Sequence, residues 1–119
     1  MLHHVSLEVE PEHVDRTLEF FALLGFERVP APDPIAAFVT WVERDATQIH
    51  LIHTPEATTP VLGHAAVVAP DFGASVERLR EAGFEVEDAD ELWGEQRAFA
   101  LLPGGGRVEV MAGPPPASR

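Results

Sequence analysis

VDRTLEFFALLGFE at residues 14–27 and FGASVERLREAGFE at residues 72–85 follow one plan, and that agreement decides the fold. In the first stretch Val14, Leu18 and Phe21 fall at i, i+4 and i+7, the spacing of a helix with one apolar stripe. Adding 58 to each number gives Phe72, Val76 and Leu79, the stripe of a second helix. The same offset carries Gly25-Phe26-Glu27 onto Gly83-Phe84-Glu85. Each glycine stands just past the last helical turn, where a left-handed cap is best made by a residue without Cβ. Pro11 and Pro70 lie beside the helix starts, and Asp71 is placed to cap the second. A pattern repeated at this length points to a duplicated supersecondary unit.

Working outward, alternating apolar residues predict strands over 2–9, 37–43 and 47–53 around the first helix, which spans about 11–24. The second copy predicts strands over 64–69, 97–102 and 106–111 around a helix over 72–82. Short strands near 26–29 and 84–87 follow the helices. The fold class is therefore α+β: two tandem βαβββ modules forming a curved mixed sheet, a cup, with helices on the outside. Module 1 is expected over 1–57 and module 2 over 61–113, as one domain over 1–113. The linker Thr54–Gly63 carries two prolines, and residues 114–119, with three prolines, are expected to be a disordered tail.

Composition narrows the chemistry. With 119 residues, one compact domain is expected. There is no cysteine, lysine, tyrosine or asparagine, and all eight basic residues are arginine. Disulfides, thiolate ligands, Schiff bases and a tyrosine general acid are excluded together. A net charge of −12 opposes nucleic acid and acidic membrane surfaces, so a small molecule is the expected partner. No apolar run approaches a membrane span and no secretory leader is evident, so the expected location is cytoplasmic.

Strand parity then singles out four polar side chains. His4 shares a face with Ser6 and Glu8, opposite Val5, Leu7 and Val9. His64, His50 and Glu109 likewise alternate with apolar neighbours. His4 plus 60 is His64, and His50 plus 59 is Glu109, so the four are repeat-equivalent pairs. If the first strands of the modules lie side by side, all four converge in the cup. Imidazole and carboxylate suit one divalent ion such as Zn, Ni, Fe, Mn or Co. Taken alone, each residue is ordinary: a strand histidine is usually structural, and Glu109 could be a surface carboxylate. His3 and His53 have the helix-side parity and His13 lies in the first helical turn, so these three are expected to be structural or solvent-facing. Phe38, Thr40, Arg97 and Phe99 are assigned to the pocket wall. Arg97 is expected to hold a substrate carboxylate or phosphate, or else to pair with Glu91 or Glu95. Trp93-Gly94 reads as a turn closing over the pocket or as a core anchor.

The segments His4-Val-Ser-Leu, Leu23-Leu-Gly-Phe-Glu27, Gln48-Ile-His-Leu51, Gly63-His-Ala-Ala66 and Arg107-Val-Glu-Val110 resemble the vicinal oxygen chelate superfamily. That group includes glyoxalase I, epimerases, fosfomycin- and bleomycin-resistance proteins and extradiol dioxygenases. The resemblance covers residues 2–112 and places the ligand positions on His4, His50, His64 and Glu109. It implies a metal-dependent lyase or isomerase of glyoxalase- or epimerase-like type. The substrate would chelate through adjacent oxygens, with an enolate stabilised by the metal and Glu109 able to shuttle a proton. It also implies a homodimer. The alternative is a metal-free, ligand-sequestering protein similar to the bleomycin-resistance members. Two departures stand out: glyoxalase I usually carries glutamate where His50 stands, and Leu102-Pro-Gly-Gly-Gly106 replaces the common Asp-Pro-x-Gly-His turn.

Overall fold

The computed structural model describes residues 1–117 and divides them into two compact units, Met1–Val61 and one beginning at Leu62. In the first, β1 (His4–Val9) leads through a 3-10 turn (Pro11–His13) into α1 (Val14–Leu23), then β2 (Glu27–Val29), β3 (Val39–Arg44) and β4 (Thr47–His53). The second repeats the order: β5 (Ala65–Val68), α2 (Phe72–Glu81), β6 (Val86–Ala89), β7 (Arg97–Leu101) and β8 (Arg107–Met111). The strands form two four-stranded mixed sheets, ordered β1-β4-β3-β2 and β5-β8-β7-β6. In each, the first and last strands run parallel while the other two pairings are antiparallel.

Each helix ends as the sequence demands. Gly25 and Gly83 have φ of +90° and +89°. The Phe26 amide donates to the Phe21 carbonyl and the Phe84 amide to the Leu79 carbonyl, each at 3.0 Å. These are the six-residue bonds of a Schellman cap, and they absorb carbonyls the helix leaves open. The helix starts differ from expectation at Asp71. It occupies the cap position, yet its side chain bonds no backbone amide. Its carboxylate instead accepts from Ser75 Oγ and Arg78 Nη2, both at 2.8 Å, and Arg78 holds its pKa down.

Phe20 and Phe21 of α1 are fully buried, as are Val42, Ile49 and Leu51 of the first sheet. Phe72, Val76 and Leu79 of α2 are buried like Val67, Ala98, Ala100, Val108 and Val110 of the second. The repeat extends to a small hydroxyl on each helix, since Thr17 and Ser75 are both buried and lie 58 apart. Thr17 Oγ1 donates to the His13 carbonyl at 2.7 Å. The β3–β4 turn uses Asp45 and Ala46, both at positive φ, as a two-residue hairpin requires. The linker is tied to its own module: Glu8 and Glu10 accept the Thr58 and Ala57 amides at 3.2 and 2.9 Å.

Residues 114–117 are exposed and carry no regular structure, while positions 118 and 119 of the expected tail lie outside the described residues. Among the described residues no helix is long and apolar enough to cross a membrane.

Burial makes Phe21 the clearest test of the first module. Phe21→Ala removes a side chain of 0% exposure and is expected to cost about 3–5 kcal/mol. Ala22→Ser, on the exposed side of the same turn, is expected to change stability by under about 0.5 kcal/mol. Urea denaturation followed by circular dichroism reads both.

Candidate metal centre

The register of the parallel pairs positions the site residues. Ser6 lies opposite His50, so β1 presents His4, Ser6 and Glu8 on the face that carries His50. Trp41 of β3 also lies opposite His50 and shares that face. The imidazole of His50 is sandwiched: His4 stacks on it at 3.9 Å between centroids and 18° between planes, and Trp41 at 4.0 Å and 6°. His50 is only 8% exposed, whereas His4 is exposed.

A polar chain fixes the His50 ring. Gln48 Nε2 donates to Glu43 Oε1 at 2.9 Å, which turns Gln48 Oε1 toward His50 Nε2 at 2.7 Å. An amide oxygen only accepts, so His50 Nε2 carries the proton and Nδ1 keeps the lone pair. Burial, followed by the neighbouring His4 and His3, lowers the His50 pKa and favours this neutral form.

The second module brings its pair into direct contact. Glu109 lies opposite both Ala66 and Phe99, with 7% exposure. Its Oε1 is 2.9 Å from His64 Nε2, and its Oε2 is 3.4 Å from Arg97 Nη1. His64 Nδ1 donates to the Leu62 carbonyl at 2.9 Å. With Nδ1 committed as a donor, Nε2 can meet a carboxylate only with a proton or another cation between them. A buried carboxylate needs such partners to offset its lost hydration. Phe99 fills the space beside the pair. His64 meets its ring edge-on at 5.0 Å, and Arg107 lies over its face at 4.0 Å.

The four expected ligands thus come together as two pairs, each within its own module. The one within-module group of three donor side chains among the described residues is Glu10, Glu12 and His13, whose ligand atoms lie within 4.8 Å of one another. Glu10 is already engaged with the linker.

Arg97 and Phe99 stand beside Glu109, and Trp93 stands beside Arg97. Arg97 Nε donates to the Asp90 carbonyl at 2.6 Å, and its guanidinium lies 5.6 Å from the Phe99 ring and 5.8 Å from the Trp93 ring. Its ion pair is with Glu109 rather than Glu91 or Glu95. Trp93 Nε1 donates to the Gly113 carbonyl at 3.0 Å, which pins the 90–96 loop to the end of the second module.

Two assignments to the wall are corrected. Thr40 lies opposite Leu51, on the other face of the sheet, buried with its hydroxyl 2.8 Å from His53 Nε2. Phe38 precedes β3 and is 62% exposed. Trp41 takes the place expected of them, and applying the 58-residue offset to Phe99 would have found it. His3 is exposed. It lies before β1 begins, so strand parity does not govern it, and its Nδ1 sits 2.9 Å from His4 Nδ1.

A lowered His50 pKa has a readable consequence. In metal-free protein His50 is expected to titrate below the ordinary imidazole value of about 6.5, measured by NMR of the ring carbons. Because the folded chain then binds fewer protons than the unfolded one, this group's contribution to stability is complete above that value. It is lost as pH falls through the folded pKa. His4→Ala removes one of the opposing charges and should move the titration back up.

No protein-family model matches the sequence, and no curated protein does. Solved structures do match. A protein assigned to the glyoxalase family from Bacillus anthracis superposes with a TM-score of 0.83 at 20% identity, covering 93% of each chain. TnmS3, an antibiotic-binding protein from Streptomyces, gives 0.72 at 19% identity, over 92% of this chain and 93% of its own. A bleomycin resistance determinant encoded on the transposon Tn5 gives 0.64 at 15%, over 90% and 94%. The chain therefore has the fold of the glyoxalase/bleomycin resistance/dioxygenase proteins, the vicinal oxygen chelate fold.

Proposed function

We propose that this protein is a divalent-metal-dependent enzyme of glyoxalase- or epimerase-like type, a lyase or isomerase for a small substrate with two adjacent oxygens. The observation that carries the proposal is the His64–Glu109 pair, an imidazole anchored at Nδ1 by a backbone carbonyl and aimed at a buried carboxylate. Metal-binding histidines typically have their second nitrogen tied in this way. Two donors at about 2.1 Å from an ion stand ~3.0 Å apart at octahedral angles and ~3.4 Å at tetrahedral ones, so a small side-chain shift from the 2.9 Å hydrogen bond would admit either.

His64 and Glu109 form one half of the proposed donor set, and His4 and His50 the other. His50 offers Nδ1 in its neutral form, which a ligand requires. Three imidazoles and a carboxylate suit Zn, Ni, Fe, Mn or Co. The ion would supply Lewis acidity toward negative charge developing on a substrate oxygen. Glu109, on detaching from the ion, is the group that would take up and return a proton. Arg97 holds Glu109 at Oε2 and presents a planar donor to an anionic substrate group. Phe99 and Trp93 would wall the same region. We further propose a homodimer, the assembly that the resemblance implies.

A second reading, sequestration of a small ligand without metal, is favoured by the antibiotic-binding and bleomycin-resistance neighbours together with the net charge of −12. A cationic ligand would be drawn by that charge.

Metal analysis separates the two. Untagged protein dialysed against each candidate ion is expected to retain about one equivalent of at least one of them. His64→Ala and Glu109→Ala should retain none, since each deletes half of the better-formed pair. Protein that retains no ion yet binds a cationic glycopeptide at micromolar concentration would instead establish the sequestration reading.

A further inference from the structure

We infer that His3 is a positioning residue for His4: its Nδ1 accepts the Nδ1 proton of His4 and leaves His4 Nε2 as the lone-pair donor. The inference rests on the metal-centre reading and adds a residue to it. Two Nδ1 atoms at 2.9 Å can meet only as donor and acceptor, so one ring is protonated there and the other is not. The two rings are perpendicular, with centroids 5.2 Å apart.

The direction of the bond follows from the second module. His64 occupies the repeat-equivalent place, and its Nδ1 is held by the carbonyl of Leu62, two residues earlier. A carbonyl cannot donate, so His64 carries its proton at Nδ1 and directs Nε2 at Glu109. In the first module the residue immediately before the ligand performs the same office with a side chain. His4 is also stacked on His50 at 3.9 Å. The stack sets the plane of the His4 ring, and the His3 contact sets its rotation within that plane. Neither restraint alone would aim Nε2, and His4 is exposed, so surrounding packing does not supply the missing one.

Ring-nitrogen NMR of the metal-free protein tests this without activity. The wild-type His4 is expected to be protonated at Nδ1 and unprotonated at Nε2. In His3→Phe the acceptor is gone, and His4 should shift toward the Nε2-protonated form, with zinc affinity lower by about 10–100-fold. His3→Asn, whose side-chain carbonyl can accept at a similar position, should restore both. A purely structural role for His3 would leave the His4 tautomer unchanged in His3→Phe. That result, or wild-type His4 protonated at Nε2, overturns the inference. Wild-type protein that shows the expected tautomer but binds no zinc, nickel, iron, manganese or cobalt would overturn the metal reading while leaving the His3–His4 contact established.

Discussion

In both modules the first strand lies parallel to the last, with Ser6 opposite His50 and Ala66 opposite Glu109. Every feature of the candidate centre depends on that register. A one-residue slip would send His50 or Glu109 to the helix-side face and bring a valine or isoleucine in its place. The register is held by the alternation itself, because Val9, Ile49, Leu51, Val108 and Val110 are buried on the opposite face. Apolar burial thus selects the arrangement, and the polar side chains inherit positions that they could not secure for themselves. The helices enter the same account through Phe20, Phe21, Val76 and Leu79, which require that apolar face as their partner surface.

What the sequence disclosed, it disclosed through periodicity. The two helices and their glycine caps were legible because each is written twice with an offset of 58, and the four candidate ligands were singled out by offsets of 59 and 60. The pocket wall was misread where that rule was not applied: Phe99 minus 58 is Trp41, not Thr40. Strand parity suggested a lining at Thr40 and Phe38, but the register of β3 sets Thr40 against Leu51, and Phe38 lies before the strand. His3 was missed for a different reason. Parity assumes a strand, and β1 begins only at His4, so the His3 ring is free to turn toward its neighbour. The Glu43–Gln48–His50 chain was likewise hidden, because side-chain rotation at a cross-strand pair leaves no mark on sequence spacing.

The two modules hold their candidate ligands by different chemistry. At the repeat position where module 1 has Gln48, module 2 has Arg107. Gln48 turns to the His50 imidazole and fixes its proton. Arg107 instead lies over Phe99 and donates through Nη2 to the Leu62 carbonyl at 3.2 Å, the same carbonyl that anchors His64. One oxygen therefore couples Phe99, through Arg107, to His64. In module 1 the aromatic itself makes the contact, with Trp41 lying flat on His50.

This difference follows from what each half must stabilise. Glu109 is a nearly buried carboxylate, and desolvating it is costly unless positive groups stand close by. Module 2 meets that need with Arg97 on one oxygen and His64 on the other. His50 is nearly buried too, but it can shed its charge by losing a proton, and burial together with the neighbouring His4 and His3 favours that outcome. A neutral imidazole needs only one acceptor for its single N–H, and Gln48 supplies it. No arginine pairs with His50 in module 1, where no buried charge requires one, and Trp41 lies flat on the ring instead.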